Sequence, residues 1–299
     1  MFVQNNHIVR ALTIAGSDCS GGAGIQADLK TFARFEVYGS SVITALTAQN
    51  TQGVSTIADQ CPDFVDAQLT AVLCDLGADA IKVGMLSHKA MIETVAFRLQ
   101  QYKPRTLVVD PVMIAKGGTK LLQPQALPTF IHTLLPLTDI VTPNIEEAEL
   151  LCGFRITTQE DMRKAAREIA TLGPSIVVIK GGHAFSFHPD EAIDFIYQKD
   201  KMAYWLHTPR INTANTHGTG CTFSAAITAM VARGASPLTA ITTAKAFITD
   251  AIEQATTWKI GAGHGPVDHS APFFESQIIP DDHDHLHYHH HQWSTSHSS

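Results

Sequence analysis

Apolar and polar positions follow two different spacings along the chain. Short runs rich in β-branched and other apolar residues predict six strands, at 11–15, 41–46, 80–83, 107–109, 140–141 and 176–179. Between them, apolar residues recur at steps of three and four, which predicts helices around 65–76, 91–99 and 162–169. Alternating strands and helices are typical of a mostly parallel sheet with helices on both faces, so the pattern predicts an α/β fold.

Three further elements are predicted in the second half of the chain. Apolar residues at helical spacing predict one helix over 222–233, and Ser236 followed by Pro237 is a typical start for another that extends to Ile252. Two apolar runs at 192–197 and 203–206 are separated by polar residues. We expect them to form a hairpin, which adds a small antiparallel edge to the sheet.

Polar or glycine residues follow the carboxyl ends of all six predicted strands. The segments are 16–24, 47–50, 84–85, 110–113, 142–147 and 180–183. Each alone could be an ordinary turn or hinge. Because ligands of open parallel sheets bind beyond the carboxyl ends of the strands, the six together predict one shared site at that edge.

The start of the predicted helix 222–233 is a candidate for binding an anion. Gly218 and Gly220 flank its first turn, where backbone N–H groups point outward and the helix dipole favours negative charge. Glycines at a helix start also serve tight turns, so phosphate binding is one of two interpretations. The role of Cys221 also has two interpretations. A buried cysteine is usually a small hydrophobe, whereas a helix N-terminus stabilises a thiolate.

Composition excludes several classes of protein. The 299 residues are 44% apolar and 16% charged, enough for a large core. A formal net charge of −7 without a Lys/Arg run gives no electrostatic footprint for nucleic acid. The sequence shows neither a membrane span nor a signal peptide, and its five scattered cysteines favour neither a disulfide framework nor a zinc site. We therefore expect a cytoplasmic protein that acts on small molecules.

The residue types at the predicted edge suit phosphoryl transfer. Asp110 and Glu147 are hard oxygen donors of the kind that Mg²⁺ prefers, and Lys180 offers a point charge for phosphate oxygens. The amides of residues 218–221 would hold negative charge in the transition state. No Walker sequence and no complete dinucleotide fingerprint are present, which disfavours those nucleotide-binding folds.

A second group of residues suits a heterocyclic acceptor. Gln49 carries a donor and an acceptor side by side, able to pair with a ring nitrogen and a neighbouring amine. Met85 and Val112 can supply apolar walls. Gln49 could instead satisfy loop backbone, and the residues alone leave that alternative open.

Seven blocks of sequence resemble the bacterial hydroxymethylpyrimidine/phosphomethylpyrimidine kinases of thiamine biosynthesis. In chain order they are 15–31, 44–51, 82–86, 109–113, 142–147, 216–222 and 263–269, within a match over roughly residues 9 to 270. The resemblance implies a ribokinase-like fold and two successive ATP-dependent steps. The first phosphorylates 4-amino-5-hydroxymethyl-2-methylpyrimidine, and the second converts the monophosphate to the diphosphate.

The resemblance also implies roles for individual residues. Gln49 would recognise the aminopyrimidine, in a pocket lined by Gly16, Asp28, Met85 and Val112. Glu147 and Asp110 would hold Mg²⁺, with Asn144 beside them in an Asn-x-x-Glu pattern near the ATP phosphates. Further nucleotide contacts would come from Thr216, His217 and Thr219. The catalytic group would comprise Lys180, Gly218, Gly220 and Cys221.

Cys221 stands where most ribokinase-like sugar kinases have an aspartate base. A thiol has an unperturbed pKa of roughly 8.5, so strong proton abstraction at neutral pH requires a shifted thiolate. We expect the backbone N–H of Cys221 to matter at least as much as its sulfur.

The resemblance divides the chain at residue 270. We expect 1–270 to be a single kinase domain and 271–299 to be a disordered His/Asp-rich tail beyond the family's usual end. Dense imidazoles can bind Ni²⁺, Cu²⁺ or Zn²⁺. The implied partners are the pyrimidine and ATP, with a second copy of the chain in a homodimer.

Two other functions are compatible with these residues. Related folds in pyridoxal and pyridoxine kinases phosphorylate a hydroxymethyl group on another six-membered nitrogen heterocycle. A non-catalytic protein that binds a pyrimidine and senses or stores metal through its tail is the alternative from a different class.

Overall fold

The computed structural model describes residues 1–4, 7–115, 118–182, 190–275 and 284–289, together with the backbone of 292–295. His183, the last residue of the segment predicted to follow the sixth strand, lies outside these ranges. No helix in the described ranges is both long and apolar enough to span a bilayer.

Thirteen strands are present in the described ranges. In chain order they are β1 (Val3–Gln4), β2 (His7–Ile8), β3 (Arg10–Asp18), β4 (Tyr38–Asn50), β5 (Gly53–Asp59), β6 (Ala80–Val83), β7 (Leu107–Val109), β8 (Ile140–Val141), β9 (Ile176–Lys180), β10 (Glu191–Gln198), β11 (Tyr204–Pro209), β12 (His285–His289) and β13 (Gln292–Thr295). All except β1 and β2, which form a separate antiparallel pair, belong to one sheet.

The α-helices are α1 (Gly24–Arg34), α2 (Pro62–Ala71), α3 (Lys89–Tyr102), α4 (Leu127–Thr129), α5 (Ile145–Cys152), α6 (Gln159–Thr171), α7 (Thr219–Ala232) and α8 (Pro237–Gln254). A π-helical turn, Val72–Leu76, continues α2. Short 3₁₀ and π segments, Pro124–Ala126, Phe130–Leu134 and Leu135–Leu137, surround α4.

The large sheet has the strand order β13-β12-β11-β10-β9-β8-β7-β6-β3-β4-β5. The six consecutive strands from β4 to β9 run parallel, which confirms the predicted parallel centre. β10 pairs antiparallel with both β9 and β11, as predicted for the hairpin. The carboxyl ends of the six parallel strands therefore meet at one edge.

Two apolar layers cover the sheet. Alternate residues of each strand face opposite sides, so Leu12 and Ile14 pack with α2, α3, α5 and α6, whereas Ala11 packs with α1, α7 and α8. Buried side chains on both sides explain why the central strands read as continuous apolar runs. The apolar pattern did not predict the short strands β1 and β2, the largely exposed β5, the proline-interrupted α4 with its neighbours, or the short α5.

The C-terminal segment differs from the expected disordered tail. β12 pairs parallel with β11, and β13 pairs with β12. Leu286 and Tyr288 are buried, and the Tyr288 hydroxyl donates to Asp250 Oδ1 of α8 at 3.1 Å. In β12 the apolar Leu286 and Tyr288 alternate with polar residues, so one face of the strand is apolar. The surrounding histidines made this short pattern difficult to detect in the sequence.

Candidate active site

A cavity of about 340 Å³ opens at the carboxyl edge of the parallel strands. Residues from β3, β4, β6 and β9 and from the segments after β7 and β8 line it, and α7 begins at its margin. Nearly all of the residues predicted for the site line this cavity: Gly16, Gln49, Met85, Asp110, Val112, Asn144, Glu147, Lys180, Thr216, His217, Gly218, Thr219, Gly220 and Cys221. The structure thus brings together residues that are far apart in the chain.

The first turn of α7 has the geometry of an anion site. Gly218 caps the helix with φ of 81°, and a Cβ at this position would collide with the carbonyl oxygen of Gly22, so glycine is required here. Thr222 N–H donates to the Gly218 carbonyl at 2.9 Å, which leaves the preceding N–H groups of the turn without intrahelical acceptors. These N–H groups and the helix dipole favour a phosphate oxygen at the cavity.

Two lysine–aspartate pairs lie near this turn. Lys82 is fully buried and is ion-paired with Asp28, whose other oxygen accepts from Thr13 at 2.6 Å. Lys180 donates to Asp110 Oδ1 at 2.9 Å, and the same oxygen accepts from Thr142 at 3.0 Å.

The surroundings of Asp110 and Lys180 keep both side chains charged. Burial opposes charge on Asp110, but the nearby Lys180 and Lys82 outweigh burial and lower its pKa. Burial likewise opposes charge on Lys180, and Asp110 with Glu147 raises its pKa. A Cβ on Gly220 would lie 3.2 Å from Lys180 Nζ, which places this ammonium beside the anion turn.

The Cys221 sulfur is a thiol in these surroundings. Burial raises its pKa to about 11, although the Lys82 ammonium favours the thiolate. The effect of burial on the thiol pKa therefore outweighs the stabilisation of the thiolate by the helix N-terminus. Its backbone N–H remains part of the anion turn.

The Asn-x-x-Glu pattern forms the start of α5. Asn144 Oδ1 accepts from Glu147 N–H at 2.8 Å, and Glu147 Oε2 accepts from Asn144 N–H at 2.8 Å, a reciprocal capping box. Burial, together with the negative charge of Asp110, raises the pKa of Glu147 to about 7 against the opposing charge of Lys180. The capping role fixes the carboxylate at the cavity wall.

His217 lies beside Gln49 in the cavity lining. Its Nε2 is 2.8 Å from Asp18 Oδ2 and 3.3 Å from Gln49 Nε2. Burial alone would raise the pKa of Asp18, but hydrogen bonds from His217 and Ser20 lower it to about 2. The sequence assigned His217 to the nucleotide, whereas this geometry places it with Gln49.

The other residues predicted to contact the acceptor, Gly16, Gln49, Met85 and Val112, also line the cavity. Gln49 belongs to the extended end of β4 rather than to a loop, and its Oε1 accepts from Thr47 at 3.1 Å. Met85 and Val112 join a small apolar cluster with Leu121. A Cβ on Gly16 would lie 2.9 Å from Met85 Sδ, so glycine permits this close approach.

Asp28 is the exception among the predicted residues. Its side chain is completely buried and lies outside the cavity wall, where it holds Lys82. Sequence reasoning missed Lys82 and Asp18, although both lay in the recognised blocks. A lysine within the strand run 80–83 was the available signal, because a buried lysine requires a partner.

The chain is similar to known kinases over most of its length. The phosphomethylpyrimidine kinase family model matches residues 18–268. A hydroxymethylpyrimidine/phosphomethylpyrimidine kinase of Haemophilus influenzae is 48% identical over 266 residues, covering 89% of this chain and 98% of the relative.

Solved structures show the same fold. A pyridoxal kinase from Staphylococcus aureus in complex with ADP is 40% identical, with a TM-score of 0.81 over 89% of this chain and 94% of the other. A phosphomethylpyrimidine kinase from Clostridium difficile is 44% identical, with a TM-score of 0.72 over 82% of this chain and 99% of the other.

Proposed function

The chain belongs to the phosphomethylpyrimidine kinase family, and on this premise we propose that it phosphorylates 4-amino-5-hydroxymethyl-2-methylpyrimidine with ATP and then converts the monophosphate to the diphosphate. One observation carries the proposal. A single cavity combines an anion-binding helix start and Lys180 with an apolar wall and Gln49. The first two suit phosphate, and the last two suit a heterocycle.

The proposed chemistry is an in-line phosphoryl transfer. In the first step the acceptor hydroxyl oxygen bonds to the γ-phosphorus of ATP, the bond from that phosphorus to ADP breaks, and the hydroxyl proton passes to water. Lys180 and the N–H groups of Gly220 and Cys221 stabilise the negative charge on the transferring phosphate. A loose transition state requires little proton removal before the transfer, which is compatible with an un-ionised Cys221.

The oxygen donors beside Lys180 fit a magnesium ion. Asp110 and Glu147 both line the cavity and are both buried, and Mg²⁺ is usually held by one or two carboxylates, water and substrate phosphates. When bound, the ion would neutralise phosphate charge. Asn144 contributes by fixing Glu147 through the capping box.

The second candidate acceptor is pyridoxal. It is favoured by the similarity to the S. aureus pyridoxal kinase, at 40% identity. The pyrimidine is favoured by the family model and by the higher identity to the H. influenzae enzyme.

The deciding experiment is ATP consumption by the purified chain with Mg²⁺ and either hydroxymethylpyrimidine or pyridoxal, with products resolved by mass. We expect a pyrimidine diphosphate. Pyridoxal phosphate as the only product would show that pyridoxal is the acceptor. No turnover of either compound would favour the alternative of a non-catalytic pyrimidine- and metal-binding protein.

Replacing Gln49 with alanine is expected to raise the KM for the pyrimidine by roughly tenfold to a hundredfold, because lost polar contacts in a desolvated site cost about 1–3 kcal/mol. The measurement is steady-state kinetics at saturating ATP. Gln52→Ala is the matched control, since Gln52 is exposed on the adjoining turn. Normal pyrimidine kinetics in Gln49→Ala would show that the assignment of Gln49 is wrong.

Replacing Cys221 with serine is expected to leave appreciable turnover. The thiol is un-ionised near neutral pH, and the substitution retains the backbone N–H at the anion turn. Turnover of this variant is compared with that of Cys74→Ser, which changes an exposed cysteine outside the cavity. Complete loss of turnover with intact folding would instead require an essential thiolate.

The apparent affinity for Mg²⁺ is expected to rise with pH and to level off above neutrality. Glu147 has a pKa of about 7 and binds a cation in its ionised form, so affinity falls roughly tenfold for each pH unit below that value. Mg²⁺ titrations of turnover between acid and neutral pH test this.

Glu147→Gln removes the charge at this position while retaining a residue suited to the capping box. This variant should lose the pH dependence of Mg²⁺ affinity. Glu160→Gln is the control, because Glu160 is exposed on α6 and lies outside the cavity lining, and this variant should keep the dependence. The same slope in Glu147→Gln and in the parent chain would contradict the assignment.

The proposal extends to assembly and location. The family resemblance implies a homodimer, and we propose that the chain acts as a homodimer in the cytoplasm. Molar mass in solution, measured by light scattering, tests the dimer.

A further inference from the structure

Three histidines meet on the neighbouring strands β11 and β12, two and three strands beyond β9 in the large sheet. His207 belongs to β11, and His285 and His287 belong to β12. Parallel pairing places His207 beside His287. One nitrogen from each ring can be chosen so that all three lie within 4.8 Å of one another.

The construction of β12 explains why its histidines face the same way. Alternate residues of a strand point to opposite faces, and Leu286 and Tyr288 occupy the face covered by α8. His285 and His287 therefore project from the other face, together with His207. The apolar residues thus attach the strand and leave the imidazoles grouped.

The distances within the group are those of potential ligands. His207 Nε2 lies 3.0 Å from His285 Nδ1, and the rings of His207 and His287 stack with centroids 4.3 Å apart. In a tetrahedral site with Zn–N bonds of about 2.0–2.1 Å, two ligand nitrogens lie about 3.3 Å apart. The His207–His285 pair would need to open by a few tenths of an ångström, and the His287 nitrogen, within 4.8 Å of the other two, would need to turn toward them to complete the site.

Two carboxylates lie beside the second ring nitrogens of His207 and His285. Such carboxylates are a feature of metal sites and are independent of the spacing between the histidines. Glu191 Oε2 is 3.0 Å from His207 Nδ1, on the side away from His285. Asp284 Oδ1 is 3.4 Å from His285 Nε2, and the other Asp284 oxygen accepts from Arg163 at 3.2 Å. A carboxylate at the second nitrogen orients a metal-binding imidazole and raises its basicity.

We propose that His207, His285 and His287 bind a divalent transition-metal ion of the zinc class, with Glu191 and Asp284 orienting two of the rings. Imidazole ligands suit Zn²⁺, Ni²⁺ and Cu²⁺. The ion joins β12 to β11 and so stabilises the C-terminal strand on the sheet. His285 and His287 lie beyond residue 268, where the family model ends, and none of the three histidines lines the cavity of the proposed kinase chemistry.

Zinc binding by the full-length chain tests the site. The protein is stripped with a chelator and titrated with ZnCl₂ against a chromophoric competitor. We expect one tight site per chain, and a rise in Tm with added zinc because the ion binds the folded state.

His207→Ala is the decisive variant, since His207 lies outside the histidine-rich segment. It should weaken the tight site by at least about tenfold to a hundredfold and remove the zinc-dependent rise in Tm. His285→Ala, which alters a half-buried residue of β12, should do the same if His207→Ala folds poorly.

His289→Ala is the matched control. It removes an exposed tail imidazole whose ring is 6.5 Å from that of His287, and it should keep the tight site. Unchanged zinc affinity in both His207→Ala and His285→Ala would overturn the proposal and leave a histidine tract with incidental affinity. Kinase turnover, followed separately, distinguishes this outcome from failure of the proposed function.

Discussion

Replacing Lys180 with methionine is expected to lower kcat by about 10²- to 10³-fold, the usual cost of removing one preorganised group that stabilises transition-state charge. The ammonium lies beside the first turn of α7 and donates to Asp110 at 2.9 Å. Methionine retains much of the side-chain volume and removes the charge. KM for the pyrimidine should change less, because Lys180 acts on the transferring phosphate.

Steady-state kinetics with both substrates, together with Tm, separates catalysis from folding. Lys199→Met removes an exposed lysine of the β10–β11 turn and should behave as the parent chain does. Lys180→Arg keeps the positive charge but changes its shape, so it should recover only part of kcat. A kcat for Lys180→Met close to the parent value would exclude Lys180 from the transfer step.

Replacing Lys82 with methionine is expected to lower the free energy of unfolding by about 3–5 kcal/mol, the cost of breaking a buried ion pair. Lys82 and Asp28 are both completely inaccessible to solvent. Without the ammonium, Asp28 retains the hydrogen bond from Thr13 but loses its compensating charge. The measurement is denaturant unfolding, followed through the midpoint and the slope.

A second substitution separates charge from packing. In an Asp28→Asn background, where no carboxylate remains to be compensated, Lys82→Met should cost much less. Lys201→Met, at an exposed position, controls for loss of a lysine in general. An equal cost of Lys82→Met in both backgrounds would show that packing, rather than the ion pair, explains the loss of stability.

Local pattern predicted the central fold well. Six strands and the helices that cover them follow from apolar periodicity, because each strand is buried on both faces and helices such as α3 and α6 are buried on one. The polar segments at the strand ends indicated the site for the same reason, since parallel strands bring those ends to one edge. The exposed β5 and the proline-interrupted region around α4 lacked a comparable signal.

Site residues could be predicted where a side chain of suitable chemistry follows the carboxyl end of a predicted strand. Asp110, Glu147 and Lys180 follow strands and carry groups suited to phosphate and magnesium. The roles of Asn144 and Cys221 required the structure, because a capping box and a buried thiol depend on surroundings. These residue assignments stay predictions until the variants are measured.

The sequence by itself determined the order of the central strands and helices, the sheet edge at which the cavity lies, and the glycine-flanked helix start that suits phosphate. Periodicity and backbone freedom are local properties, so neighbouring residues suffice to specify them. Only the tertiary structure decided that Asp28 supports Lys82 rather than the pocket, that Asp18 meets His217 across 199 residues, and that β12 places histidines beside β11. Each of these depends on packing between distant segments, which local pattern does not encode.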